Sequence, residues 1–178
     1  MKWSIVILLM LSLAPPSTAD EGMWLFNRFP REAVKQKYAM DASPEFLDNL
    51  RLATVRIGGA TGAIVSPTGL VLTNQHIVSS CLAAISSGTR DYLQNGFYAG
   101  AFADEARCPG LDAEVPTAIQ DVTSQFPAPQ KKAAPAQTVE RATTIARLET
   151  ECAKRTAETC EVVSLFSGSR YELYRYKR

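Results

Sequence analysis

The chain has 178 residues, 46% of them hydrophobic, with 19 basic and 18 acidic side chains and a formal net charge of +1. So even a balance gives nucleic acid or an anionic membrane surface no electrostatic handle, which excludes both as the main partner. Length and apolar fraction together suit one domain with a real core.

In chain order, Lys2 opens a short positive start, residues 5–14 form an apolar run too short to span a bilayer comfortably, and Ser17-Thr18-Ala19 has the small side chains of a signal peptidase site. Residues 1–19 therefore read as a signal peptide. The expectation is an exported chain that begins at Asp20 and has no stable membrane insertion after cleavage. An uncleaved anchor is the alternative, but no long stop-transfer stretch follows.

Residues 21–37 read as an apolar arm, with Trp24, Leu25, Phe26 and Phe29, followed by a short basic segment. Ser43 then caps a helical turn with Pro44 at its first position. Strands are expected at 53–57, 62–66 and 70–73, with Gly58, Gly59 and Gly62 marking a tight passage between the first two. Pro67-Thr68-Gly69 supplies the fixed and the positive φ values of a hairpin turn, and the strand leaving it aims His76 outward.

After His76, residues 78–85 have the apolar spacing of a short helix, and Thr89 is placed to cap a turn over 90–95 that Gly96 closes. Residues 111–115 and 118–122 alternate like two half-buried strands, and Pro127, Pro129 and Pro135 mark a linker-like break. Residues 138–154 are the strongest helix candidate, with Val139, Ala142, Ile145, Ala146, Leu148 and Cys152 on one stripe. Strands at 160–166 and 171–176 flank a Ser167-Gly168-Ser169 turn. The Arg170, Arg175, Lys177 and Arg178 cluster reads as the solvated side of that hairpin.

Two sets of residues carry chemistry. His76 is the only histidine and the candidate general base, although an isolated histidine is more often a hydrogen-bonded structural one. Cys81, Cys108, Cys152 and Cys160 form an even set in a chain read as exported, which favours disulfides and leaves three pairings open. With no Cys-x-x-Cys and no second histidine there is nothing to build tetrahedral zinc, and no cofactor is expected. For an orienting carboxylate, Asp91, Asp104, Asp112 and Asp121 are weak local candidates. Ser169 lacks the trailing glycine of a nucleophile turn, so a hairpin role suits it better.

The run from Thr61 to His76 resembles the histidine segment of chymotrypsin-like serine proteases, and more narrowly that of peptidase family S46, the bacterial dipeptidyl peptidases. The resemblance extends to Asp20-Glu21-Gly22-Met23-Trp24, to Asp91-Tyr92-Leu93-Gln94-Asn95-Gly96-Phe97-Tyr98-Ala99, to Asp121-Val122-Thr123, and to the stretch from Phe166 to Tyr176. It departs at Ala60 and Ile77, where many members have two cysteines whose disulfide braces the hairpin, and at Gln75, which replaces the first of paired histidines. It implies a mainly β fold with some α, forming an incomplete N-terminal barrel of a two-barrel serine protease over residues 20–178. His76 is then the general base of an enzyme that releases dipeptides from oligopeptide substrates.

Similar cysteine positions in some members, together with the local unit that each pair brackets, favour Cys81 with Cys108 and Cys152 with Cys160. In the family the carboxylate and the serine lie further along the sequence, so this chain is expected to be an N-terminal portion that is inactive by itself. The full-length form is one that could pair as a homodimer. A non-catalytic secreted β-rich module or pseudo-protease remnant is the alternative, and a generic trypsin-like endopeptidase suits the quoted blocks less well.

Overall fold

The computed structural model describes residues 23–128 and 135–178. The segment read as a signal peptide and Pro129 of the linker lie outside them. The described residues fall into two units divided after Pro30. In the first, a 3-10 turn spans Phe26–Arg28 and Trp24 meets Phe29 edge to face, with ring centroids 5.4 Å apart.

The second unit is a mixed α/β assembly built on one antiparallel sheet. Helices α1 (Arg31–Tyr38) and α2 (Pro44–Ala53) precede strands β1 (Thr54–Ile57), β2 (Ala60–Ile64) and β3 (Val71–Leu72). Helices α3 (Gln75–Ile85) and α4 (Tyr92–Asn95) follow, then β4 (Ala113–Asp121), α5 (Pro135–Thr156), β5 (Thr159–Leu165) and β6 (Arg170–Lys177). The sheet runs β3-β2-β1-β4-β6-β5 and stays open, with β3 and β5 as its edges. Helix α2 starts as expected, the Ser43 hydroxyl accepting from the Phe46 N–H at 3.0 Å and Pro44 occupying the first turn.

The main core lies between α5 and the β4-β6-β5 half. Val122, Phe126, Leu148, Cys152, Val162, Tyr171 and Leu173 are its buried members, and the Phe126 and Tyr171 rings stack with centroids 3.7 Å apart. The stripe on α5 differs from the expected one: Leu148 and Cys152 are buried, but Val139, Ala142 and Ala146 face solvent. The burial-setting face runs through Arg141, Ile145, Leu148 and Cys152, steps of three and four that include a long polar side chain an apolar count passes over.

Where two strands were expected between 111 and 122, β4 is one strand. Its register shifts between Pro116 and Ala118, so Thr117 is an extra residue in a bulge. Proline cannot donate to a ladder and reads as a break, but a bulge accommodates it. The Thr117 hydroxyl holds the bulge, lying 2.9 Å from Glu158 Oε1 and 3.2 Å from the Arg175 carbonyl oxygen.

The cap of α4 is Asp91 rather than Thr89. The Asp91 carboxylate accepts from the N–H groups of Leu93 and Gln94, whereas Thr89 sits in a tight turn closed by two backbone bonds between Ser87 and Arg90. Gly96 closes the helix at φ 74° as expected.

Candidate functional site

The β2–β3 hairpin ends four residues before the histidine. Its turn closes through the Val65 N–H to the Leu70 carbonyl at 2.8 Å, with Gly69 at φ 88°. The hairpin is unusually close at Gly62, where a Cβ would stand 2.9 Å from Val71 Cγ1 and 3.0 Å from the Leu72 carbonyl oxygen. Only a glycine admits that approach.

His76 does not continue the strand. The chain leaves β3 after Leu72, the Thr73 hydroxyl donates to the Thr61 carbonyl at 3.2 Å, and Asn74 in extended conformation caps α3. The histidine is thus the second residue of a helix. The reason is legible in retrospect: Ile77, Val78, Cys81 and Leu82 share one helical face, so the helix period begins before residue 78. His76 is exposed, and among the described residues its imidazole makes no hydrogen bond.

Helix α3 is tied down near the histidine in two ways. Cys81, its only buried residue, bonds Cys108. Ile77 packs beside Gly58 of the β1–β2 turn, where a Cβ would meet Leu111 Cδ1 at 2.8 Å and Ile77 Cγ2 at 3.3 Å. The second disulfide joins Cys152 of α5 to Cys160 of β5.

The local carboxylates are occupied elsewhere. Asp91 caps α4, Asp112 pairs with Arg178 at 3.3 Å, and Asp121 accepts from the Thr123 N–H and pairs with Arg170. Asp104 is exposed in a 3-10 turn. Ser169 donates to the Phe166 carbonyl within the hairpin turn, as expected of a structural serine. The structure brings none of these residues into hydrogen bonding with His76. Among the described residues no group of three His, Cys, Asp or Glu is placed to hold a metal ion, and no helix is long and apolar enough to cross a membrane.

A charge network that residue patterns do not reveal lies on the sheet. Arg56 of β1 donates to Glu114 of β4 at 2.6 Å, pairs with Glu161 of β5, and lies over the Tyr176 ring of β6 at 3.9 Å from its centroid. Glu114 also accepts from Thr159. Its carboxyl is held below the usual carboxylate range, first by the Arg56 hydrogen bonds. An open groove of about 380 Å³ beside it is lined by Arg56, Gly58, Gly59, Asp112, Glu114 and Arg178, among others.

Of the C-terminal basic residues expected on a solvated face, Lys177 is exposed as expected, whereas the three arginines are engaged by acidic partners. Arg170 bridges Asp121 and the fully buried Glu172, Arg175 meets Glu158 at 3.5 Å, and Arg178 meets Asp112 and Glu114. Apart from Glu172, two residues from Arg170 on the same strand, these acidic partners come from strands and loops distant in sequence, which a run of charges alone does not show. Burial, followed by the neighbouring Glu172 charge, pushes the Tyr174 phenol up to about 12.

Comparison with known proteins gives a consistent picture. The family described as Peptidase S46 matches residues 19–178. An Asp/Glu-specific dipeptidyl-peptidase of Porphyromonas gingivalis is 38% identical over 120 residues, covering 64% of this chain and 17% of that protein. Dipeptidyl-peptidase 7 of Phocaeicola vulgatus is 31% identical over 134 residues, covering 70% of this chain and 19% of that protein. The crystal structure of Porphyromonas endodontalis DPP11 in complex with substrate superposes with a TM-score of 0.69 at 27% identity, over 89% of this chain and 25% of that one. The chain spans about a fifth of the length of the curated relatives it matches.

Proposed function

Because the chain belongs to peptidase family S46, we propose that it forms the histidine-bearing part of a serine-type dipeptidyl peptidase that releases dipeptides from the N-termini of oligopeptides. His76 is its general base. The observation that carries the reading is the position of the only histidine: it lies within the matched span, exposed in the first turn of a helix that a tight β-hairpin leads into. An exposed imidazole with no hydrogen bond among the described residues is free to take a proton from a substrate-directed hydroxyl.

Acyl transfer also needs that hydroxyl, a carboxylate to hold the imidazole tautomer, and N–H donors for the oxyanion. The proposal places these outside residues 1–178, in sequence that the relatives carry beyond the matched portion. An isolated base contributes about 10² to 10⁴-fold, far below what peptide hydrolysis requires. Residues 20–178 alone are therefore expected to release no dipeptide. Supplied with a polypeptide carrying the remaining family portion, they are expected to do so, and His76→Ala is expected to abolish release with the circular dichroism unchanged. Activity of residues 20–178 alone above a His76→Ala control would overturn the assignment and direct the search to a local serine and carboxylate.

Relatives named dipeptidyl-peptidase 7 and Asp/Glu-specific dipeptidyl-peptidase both match, and the reaction proposed is the dipeptide release common to both names. Export, with a mature start at Asp20, belongs to the same proposal. Intact-mass measurement of secreted material retaining residues 1–19 would refute it.

A further inference from the structure

We infer that the Cys81–Cys108 disulfide and the Leu111 contact form a clasp that positions His76 through the backbone of α3. The inference rests on the role just proposed for that histidine. With no hydrogen bond to its imidazole among the described residues, the orientation of His76 is set by the helix turn that carries it. Helix α3 has eleven residues, shorter than a helix that is stable by itself in water, and Cys81 is its only buried side chain.

The clasp grips the helix at two levels. Cys81 follows His76 by five residues, somewhat more than one turn along the helix, and is bonded to Cys108. Leu111, three residues beyond Cys108, packs with Ile77 against the bare backbone of Gly58, so the same loop also meets the turn beside the histidine. Gly58 adopts φ 55° at the end of β1, which ties this contact to the sheet. The loop holds the helix and the glycine turn together, and the disulfide fixes the loop.

The single histidine gives a clean readout, because its imidazole is the only one in the spectrum of the labelled full chain. In Cys81→Ala/Cys108→Ala, the His76 ring signal is expected to shift or broaden. Amide protection over residues 79–82, whose N–H groups bond the carbonyls of the first turn, is expected to fall by on the order of tenfold. Cys152→Ala/Cys160→Ala should leave both readouts as they are. An unchanged ring signal in the first variant, or equal changes in both, would overturn the inference. Should the first variant lose its native circular dichroism, Leu111→Ala decides, since it keeps both disulfides: a shifted ring signal supports the clasp and an unchanged one overturns it. None of these readouts depends on peptidase activity, so they stand apart from the test of His76 as base.

Discussion

Arg56 contacts three strands besides its own, and its partners carry the acid response of the sheet. Glu114 is nearly buried and accepts from Arg56, Thr159 and Arg178. Its folded-state pKa lies below its ordinary value of 4.5. The unfolded chain then binds the proton more readily than the folded one, so the stability this carboxylate contributes is present above pH 4.5 and lost as pH falls through its lowered value. Glu114→Gln is expected to be less stable than the parent at neutral pH, with the gap narrowing as the pH falls below 4.5. Urea unfolding midpoints measured above and below that pH check this, and a constant gap would contradict it. Glu172, fully buried at the other end of the β4–β6 ladder, is paired with Arg170. Buried charges persist only when paired.

Disulfides and periodicity decide matters at the scale of the element. Closing a loop of 27 residues removes more freedom from the unfolded chain than closing one of 8, by about 3.5 against about 2.5 kcal/mol on the chain-entropy estimate. Loss of Cys81–Cys108 should therefore cost about 1 kcal/mol more than loss of Cys152–Cys160, read from denaturant unfolding of the two alanine pairs. The reverse order would show that the core position of Cys152 outweighs loop length. Much of this layer was legible in the sequence, because Ser43-Pro44, the Pro67-Thr68-Gly69 turn and Gly96 set the backbone locally. What escaped was set by distant partners or by competing local signals. The bulge at Thr117 needs Arg175 and Glu158 to hold it, and the buried face of α5 needs β5 and β6 to select Leu148 and Cys152 over Val139. The apolar run Leu70-Val71-Leu72 points to a strand leading to His76, while the helix period that claims it becomes clear only with Cys81. The single ring nitrogen pair was identified as the site candidate from sequence; the Gly58, Ile77 and Leu111 contact beside it was not, since no spacing announces a meeting of three separate segments.

On the scale of the whole molecule, the open sheet leaves two edges, and the β3 edge carries apolar side chains: Leu70 and Leu72 are 65% and 67% exposed. Unpaired strand edges with apolar flanks associate with other copies. Residues 31–178 are expected to show an apparent mass that rises with concentration in sedimentation runs, and Leu72→Lys to suppress the rise. A mass independent of concentration would place the sticky surface elsewhere or nowhere. The junction between the halves of the sheet has a different consequence. Strands β1 and β4 share just the pairs Arg56 with Glu114 and Ile57 with Ala113, across 58 residues of sequence. The β2–β3 and β5–β6 hairpins close over short loops, whereas that narrow seam must wait for a long one. Strand β4 meets β1 and β6 alike only through pairs distant in sequence, so refolding is expected to wait on the docking of β4, with the two hairpins formed early.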